Sequence, residues 1–337
     1  MTLLVPTDRG LHCPVADFYI DPWKPVDRAV ITHAHSDHLS QGSAAYLVAA
    51  PGQAIAAARL GGRSVESIAY GERTEINGVR VSLHPAGHVL GSAQVRVEHR
   101  GEVWVISGDY KTEPDPTCAS FEVQRAHVFV TECTFGLPVY CWPDHTEVVR
   151  DIHQWITANR AAGTTSVLFG YSLGKAQRLL SMLDGLDIPI WTHGAVEGMT
   201  ALYRAGGIHL PPTTPVASAM AQTDWSAGVV VAPPSAATSP WMHRFGDVST
   251  AFASGWMHVR GARRRRNADR GFVVSDHADW PALVATIRAT GAERVLATHG
   301  FTDVLARYLN ELGLDAGVVP TRWEGEQDNE PAVGDSP

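Results

Sequence analysis

The sequence predicts an α/β protein in which a core built from short strands is interrupted by a second α/β unit and then resumed. Three observations carry that expectation. Before Asp144, and again after about Phe272, strand candidates run repeatedly into histidines or carboxylates. Between those stretches strands alternate with helices, the pattern of a parallel sheet. With 337 residues the chain is long enough for a large core with an inserted unit. The expected division is a core at residues 1–144 and 266–323, an inserted unit at 145–265, and an acidic, Gly/Pro-containing tail at 324–337 that reads as disordered.

The elements follow in order. Residues 26–32 (VDRAVIT) read as a strand that leads straight into His33. Residues 78–83 (GVRVSL) and 93–98 (AQVRVE) alternate, residues 103–106 (VWVI) form a short apolar strand before Asp109, and residues 126–131 (AHVFVT) form another before Glu132. The texture then changes. Helix 147–160, strand 166–170, helix 175–183, strand 188–192, helix 197–205 and strands 229–232 and 248–253 make the inserted unit. A strand near Phe272, helix 280–290, strand 294–297 and helix 302–312 return to the earlier style. Loops over strand ends are where a rigid sheet presents chemistry, so the loaded residues at these ends draw attention.

Composition narrows the class. Hydrophobic residues make up 45% and charged residues 18%, as in a globular protein with a substantial core. No apolar run is long enough to span a bilayer, and the N-terminus lacks the pattern of a secretory signal, so cytoplasmic residence is the expectation. Cys13, Cys118, Cys133 and Cys141 form no C-x-x-C pair and read as ordinary reduced thiols. The net charge of −8 argues against a nucleic-acid binder that works by bulk charge. Contact with a polyanion would have to rest on a local patch and on bound metal.

The densest chemical signal is Thr32-His33-Ala34-His35-Ser36-Asp37-His38. Imidazoles and a carboxylate crowded just past a strand suit a divalent cation, with Zn, Mn and Fe all open in the absence of thiolate. A solvated polar loop is the plainer alternative, and it rarely concentrates ligands this way. Pro85-Ala86-Gly87-His88-Val89-Leu90-Gly91-Ser92, Ser107-Gly108-Asp109 and Thr298-His299-Gly300 add a histidine, a carboxylate and a histidine. Each alone would read as a structural histidine or a turn residue.

Taken in series, HAHSDH, AGHVLGS, SGD and a late THG resemble the metallo-β-lactamase hydrolases. The resemblance implies an αββα sandwich with two divalent metal ions at one sheet edge. His33, His35 and His88 would bind the first, Asp37, His38 and His299 the second, and Asp109 would bridge them. Val130-Thr131-Glu132-Cys133-Thr134-Phe135-Gly136 and Ser275-Asp276-His277, together with the inserted unit, are similar to the β-CASP branch of nucleases, which act on DNA or RNA. There Glu132 is the acidic motif and His277 the middle histidine, and the inserted unit is a cap. The stretches TFGLPVY (134–140), FGYSLGKAQRLL (169–180), THGAVE (192–197) and SGWMHVRGARRRR (254–266) resemble bacterial ligase-associated DNA exonucleases, a likeness running from about residue 9 to 323. That family implies DNA as substrate, DNA ligase and helicase as partners, and a role in repair.

Asp37, Glu132 and His277 are the candidate catalytic groups. A leaving sugar oxygen needs a proton, which His277 would supply with Glu132 orienting its ring. Candidate phosphate contacts are Lys111, Ser172 and Lys175 (the latter two where a strand enters a helix), His193, and the run Arg263, Arg264, Arg265, Arg266. Helix capping and solvated charge are the plainer readings of these groups. Trp142, Trp191 and Trp241 are candidates for base stacking, with core packing the plainer role. The competing functions are an RNase of the same branch, a non-catalytic scaffold, and a small-molecule thioesterase or lactonase.

Overall fold

A computed structural model describes residues 2–259 and 268–321. The described chain forms two compact units, one of residues 2–141 with 277–321 and the other of residues 142–259 with 268–276.

In the first stretch the strands are β1 (Val5–Thr7), β2 (Gly10–Cys13), β3 (Phe18–Ile20), β4 (Arg28–Val30), β5 (Ala45–Ala49), β6 (Glu66–Ile68), β7 (Arg73–Ile76), β8 (Val79–Pro85), β9 (Ala93–His99), β10 (Glu102–Ile106) and β11 (Val128–Cys133), with helix α1 (Gln53–Arg59) after β5. The second unit contributes α2 (His145–Ala161), β12 (Thr165–Phe169), α3 (Lys175–Met182), β13 (Ile190–Thr192), α4 (Gly194–Ala205), β14 (Thr214–Pro215), β15 (Val229–Ala232), β16 (Val248–Ala253) and β17 (Arg270–Phe272). The first unit then resumes with α5 (Trp280–Thr290), β18 (Arg294–Gly300), α6 (Thr302–Glu311) and β19 (Asp315–Val318).

The first unit holds two sheets, ordered β1-β2-β3-β4-β5-β6 and β19-β18-β11-β10-β9-β8-β7. Phe18, Val30 and Leu47 of one sheet and Val81, Val95, Ile106 and Val130 of the other share a single buried cluster. The opposite face of the second sheet is also covered: Val105, Phe129 and Val295 pack against Ile287 of α5 and Leu305 and Leu309 of α6. This explains why β11 is buried at all six positions. A central parallel strand with both faces covered reads as a continuous apolar run rather than an alternating one. Each such side chain removed from water contributes about 1.5–3 kcal/mol.

Strand direction sets where the chemistry falls. β10, β11 and β18 are neighbours and parallel, and β8 points the same way because it is antiparallel to β9, which is antiparallel to β10. Their C-terminal ends therefore share one sheet edge. In the first sheet β3 and β4 are parallel, which brings Asp21 beside the segment that carries His33. α5 begins and ends on strong local signals: Asp279 caps its first turn by accepting from Ala282 N at 3.0 Å, Pro281 occupies that turn, and Gly291 stops it in the left-handed conformation.

The second unit is a six-stranded parallel sheet ordered β14-β13-β15-β12-β16-β17. Val167, Phe169, Val230 and Phe252 lie in its core. β17 pairs with β16 in this sheet, although the sequence places that strand with the resumed core. The mixed α/β class expected from the sequence is what the chain adopts. Among the described residues no helix is long and apolar enough to cross a membrane.

Candidate metal centre

Three groups of ligand atoms converge in the first unit: His33, His35, His88 and Asp109; Asp37, His38 and His299; and Asp109, Glu132 and His277. In each group one atom per residue lies within 4.8 Å of all the others, and each group could hold a metal ion.

In the first group His35 Nδ1 stands 3.1 Å from both His33 Nε2 and His88 Nε2. Asp109 Oδ2 stands 3.5 Å from His33 Nε2 and 3.8 Å from His88 Nε2. Four ligands about 2.1 Å from a tetrahedral cation would be about 3.4 Å apart, so these spacings fit a metal shell. The other carboxylate oxygen, Asp109 Oδ1, lies 3.5 Å from His38 Nε2, which is also 3.6 Å from Asp37 Oδ2. His38 Nε2 is buried and has no hydrogen-bond partner among the described residues. Asp109 thus turns one oxygen to each of two donor groups. The donors are imidazole nitrogens and carboxylate oxygens without thiolate, a set that suits Zn, Mn or Fe.

Local structure explains the placement. His88 follows β8 in a tight loop whose Ser92 hydroxyl accepts from His88 N at 3.0 Å and Val89 N at 3.2 Å. Gly87 has φ +75°, and a Cβ there would lie 2.2 Å from the Lys111 carbonyl, so only glycine allows the loop to close on the chain beyond Asp109. Asp21, which the sequence reading passed over, orients His38. Its Oδ2 accepts from His38 Nδ1 at 2.7 Å and from Thr32 Oγ1 at 2.5 Å, and its Oδ1 accepts from Thr32 N at 2.8 Å. The available signal was a carboxylate at the end of a short strand, in Tyr19-Ile20-Asp21-Pro22, which by itself reads as a turn.

Glu132 organises the third group. Its Oε1 accepts from His277 Nδ1 at 2.8 Å and from Tyr110 N at 3.1 Å, and its Oε2 accepts from Thr134 N at 3.0 Å. Tyr110 O accepts from Ala278 N at 2.7 Å, so the residue after Asp109 is tied to the chain on both sides. The His277 ring packs 4.8 Å from that of His88 and 5.8 Å from that of Phe135.

The electrostatics follow from burial and crowding. Burial, then the positive potential of His38, holds His33 well below the ordinary imidazole range. His299 is lowered for the same two reasons. Burial also opposes protonation of His38, but the carboxylates of Asp109, Asp37 and Asp21 outweigh it and hold that imidazole well above its usual value. Burial would raise Asp109, yet the nearby charge of His38, then that of His277 and His33, holds its carboxyl well below the usual range.

The candidate phosphate contacts are divided between the two units. Lys111 is buried, with Nζ 3.6 Å from Asp115 Oδ2. In the second unit Lys175 is also buried; its Nζ lies 2.9 Å from Asp276 Oδ2 and donates to Val274 O at 3.1 Å. Ser172 is buried at the start of the same turn. His193 caps α4 by accepting from Ala195 N at 3.1 Å and meets Trp241 edge-on at 4.9 Å. Trp191 and Trp241 pack in the aromatic core of the second unit. Arg263, Arg264, Arg265 and Arg266 lie outside the described residues.

Comparison with known proteins places this geometry. No family model matches the chain. A probable DNA ligase of Opitutus terrae is 33% identical over 330 residues, which is 97% of this chain but 31% of that protein. The Endoribonuclease YSH1 of Kluyveromyces lactis is 34% identical over 122 residues, 36% of this chain and 16% of that protein. The chain thus spans about a third or less of the length of these two relatives. A crystal structure of a protein of unknown function from Enterococcus faecalis V583 superposes with a TM-score of 0.61 at 10% identity, over 89% of this chain and 80% of that one, a likeness of fold alone. With its histidine-rich segment, its acidic strand and these relatives, the chain belongs to the metallo-β-lactamase superfamily, in the β-CASP branch.

Proposed function

We propose that the chain is a two-metal-dependent nuclease that hydrolyses DNA phosphodiesters, with single-stranded or tailed DNA as substrate and repair as its setting. The observation that carries this reading is the division of Asp109 between two donor groups. His33, His35 and His88 would hold one divalent cation, Asp37, His38 and His299 the other, and Asp109 would bridge them. On this reading the first unit is an αββα sandwich and the second is the β-CASP cap.

Two divalent cations, when bound, neutralise the anionic phosphodiester and make water acidic enough to attack phosphorus near neutral pH. The chain's own groups do the rest. Asp21 fixes the His38 ring through Nδ1, so that Nε2 faces Asp109 and Asp37. Glu132 accepts a hydrogen bond from His277 Nδ1–H and so orients the protonated ring, whose Nε2–H would be the proton given to the departing sugar oxygen.

DNA is preferred over RNA because the ligase-named relative matches 97% of the chain, against 36% for the endoribonuclease. The same relative suggests a DNA ligase as partner, and a helicase is the other partner expected. The RNase reading is favoured by the YSH1 likeness and is the second candidate. Matched end-labelled DNA and RNA oligonucleotides, single-stranded and tailed, with Mn, Zn or Fe added separately, decide between them. Metal-dependent cutting of the DNA set is expected. Cutting of RNA alone would install the second reading, and no cutting of either would remove both.

A further inference from the structure

On the two-metal reading proposed above, His299 must present its ring toward Asp37 and His38, and the backbone that does so is irregular. β18 pairs with β11 in register as far as Glu132 opposite Thr298, then slips so that Cys133 stands opposite Gly300. His299 is therefore the extra residue of a β-bulge. It also sits at φ +51°, in the left-handed region that a side chain disfavours. Such a conformation persists only if its surroundings hold it.

Cys133 grips the bulge from both ends. Its thiol donates to the His299 carbonyl at 3.1 Å, with the Thr298 carbonyl at 3.5 Å. Its own carbonyl accepts from Phe301 N at 3.0 Å. Gly300, at φ +91°, makes the approach possible, since a Cβ there would lie 2.3 Å from Cys133 O. Cys133 is 0% exposed, so solvent has no access to take the place of its thiol.

We infer that the Cys133 thiol is a positioning group for His299. By holding the carbonyl of the bulged residue it fixes the peptide plane, and with it the direction in which the imidazole leaves the strand. The thiol belongs to none of the three ligand groups, so its role is that of a hydrogen-bond donor rather than a metal ligand. A hydroxyl at this position should serve in its place, and an alkyl group should not.

The test is calorimetric titration of the full, metal-stripped chain with Mn²⁺, independent of turnover. Wild type should take up two ions. Cys133→Ala should keep the first and bind the second about tenfold more weakly, the usual scale for losing a group that orients a ligand. Cys133→Ser should restore wild-type affinity. Cys13→Ala, at another fully buried cysteine of the same unit, should lower thermal stability and leave both ions in place. If the alanine cavity unfolds the chain, the larger pair Cys133→Thr and Cys133→Val fills it, and only valine should show the loss. Equal second-ion affinity in Cys133→Ala and wild type, or equal loss in Cys133→Ser and Cys133→Ala, would overturn the inference while sparing the two-metal reading. A wild type that binds one ion only would overturn both.

Discussion

Replacing Glu132 by glutamine tests the organisation of the third group without changing its shape. Three N–H donors converge on this carboxylate: His277 Nδ1 and Tyr110 N on Oε1, and Thr134 N on Oε2. An amide has one acceptor oxygen and one donor NH₂. With its oxygen toward His277, the NH₂ faces Thr134 N; in the reverse orientation it faces Tyr110 N and forces His277 into the other tautomer. Either way at least one buried donor loses its partner. One charge-assisted bond lost, with a donor left unsatisfied, costs about 3 kcal/mol. Activity should fall further than stability alone implies, by roughly 10²–10³, because the ring that is to deliver the proton loses its orienting carboxylate. The assay pairs urea unfolding of the metal-stripped protein with cleavage of an end-labelled DNA oligonucleotide, whose sugar oxygen needs a proton to leave, by the Mn²⁺-loaded protein. A variant that matches wild type in both measurements would show that Glu132 is not organising His277, and the proton-delivery argument would fall with it.

Asp109→Ala and His33→Ala should each abolish metal-dependent hydrolysis, and Asp109→Ala should also reduce the bound metal measured by mass spectrometry at both groups. Wild-type turnover in either variant would refute the assignment. Phe129→Ala, in the apolar face between β11 and the helices α5 and α6, should cost about 3–5 kcal/mol in urea unfolding without changing metal stoichiometry. Thiol alkylation should mark Cys141, which is exposed, and spare Cys133, whose thiol burial pushes far above the usual range. Rapid labelling of Cys133 in the folded protein would contradict its place in the core.

What could be read from the sequence was what is chemically loud or strongly patterned. The His33–His38 segment needs no fold to be noticed, and α5 announces both its ends through Asp279, Pro281 and Gly291. β15 and β16 have the bounds expected from their apolar runs. Strands β1 to β3 have three or four residues each, too few to show a period. Glu132 and His299 were expected beyond their strands, but both lie within them, because β11 and β18 go on pairing around the bulge. Asp21 matters only because β3 lies beside β4, a neighbour relation that no local pattern encodes. Lys175 reads locally as the first residue of a helix facing a ligand. Its burial depends on Asp276, far along the chain, folding back to meet it.

One inner strand of the second sheet waits longest for a neighbour. β11 is apolar over most of its length, and its partner β18 arrives 166 residues later. Closing a flexible loop of that size costs about 4–5 kcal/mol in chain entropy. Until then a nascent chain presents a long, sticky, unpaired edge of the kind that recruits other chains. A parallel sheet inside the intervening segment that folds by itself would shorten the effective loop. The order of synthesis therefore favours early folding of the interrupting segment, which brings the two halves of the split sheet within reach before aggregation competes.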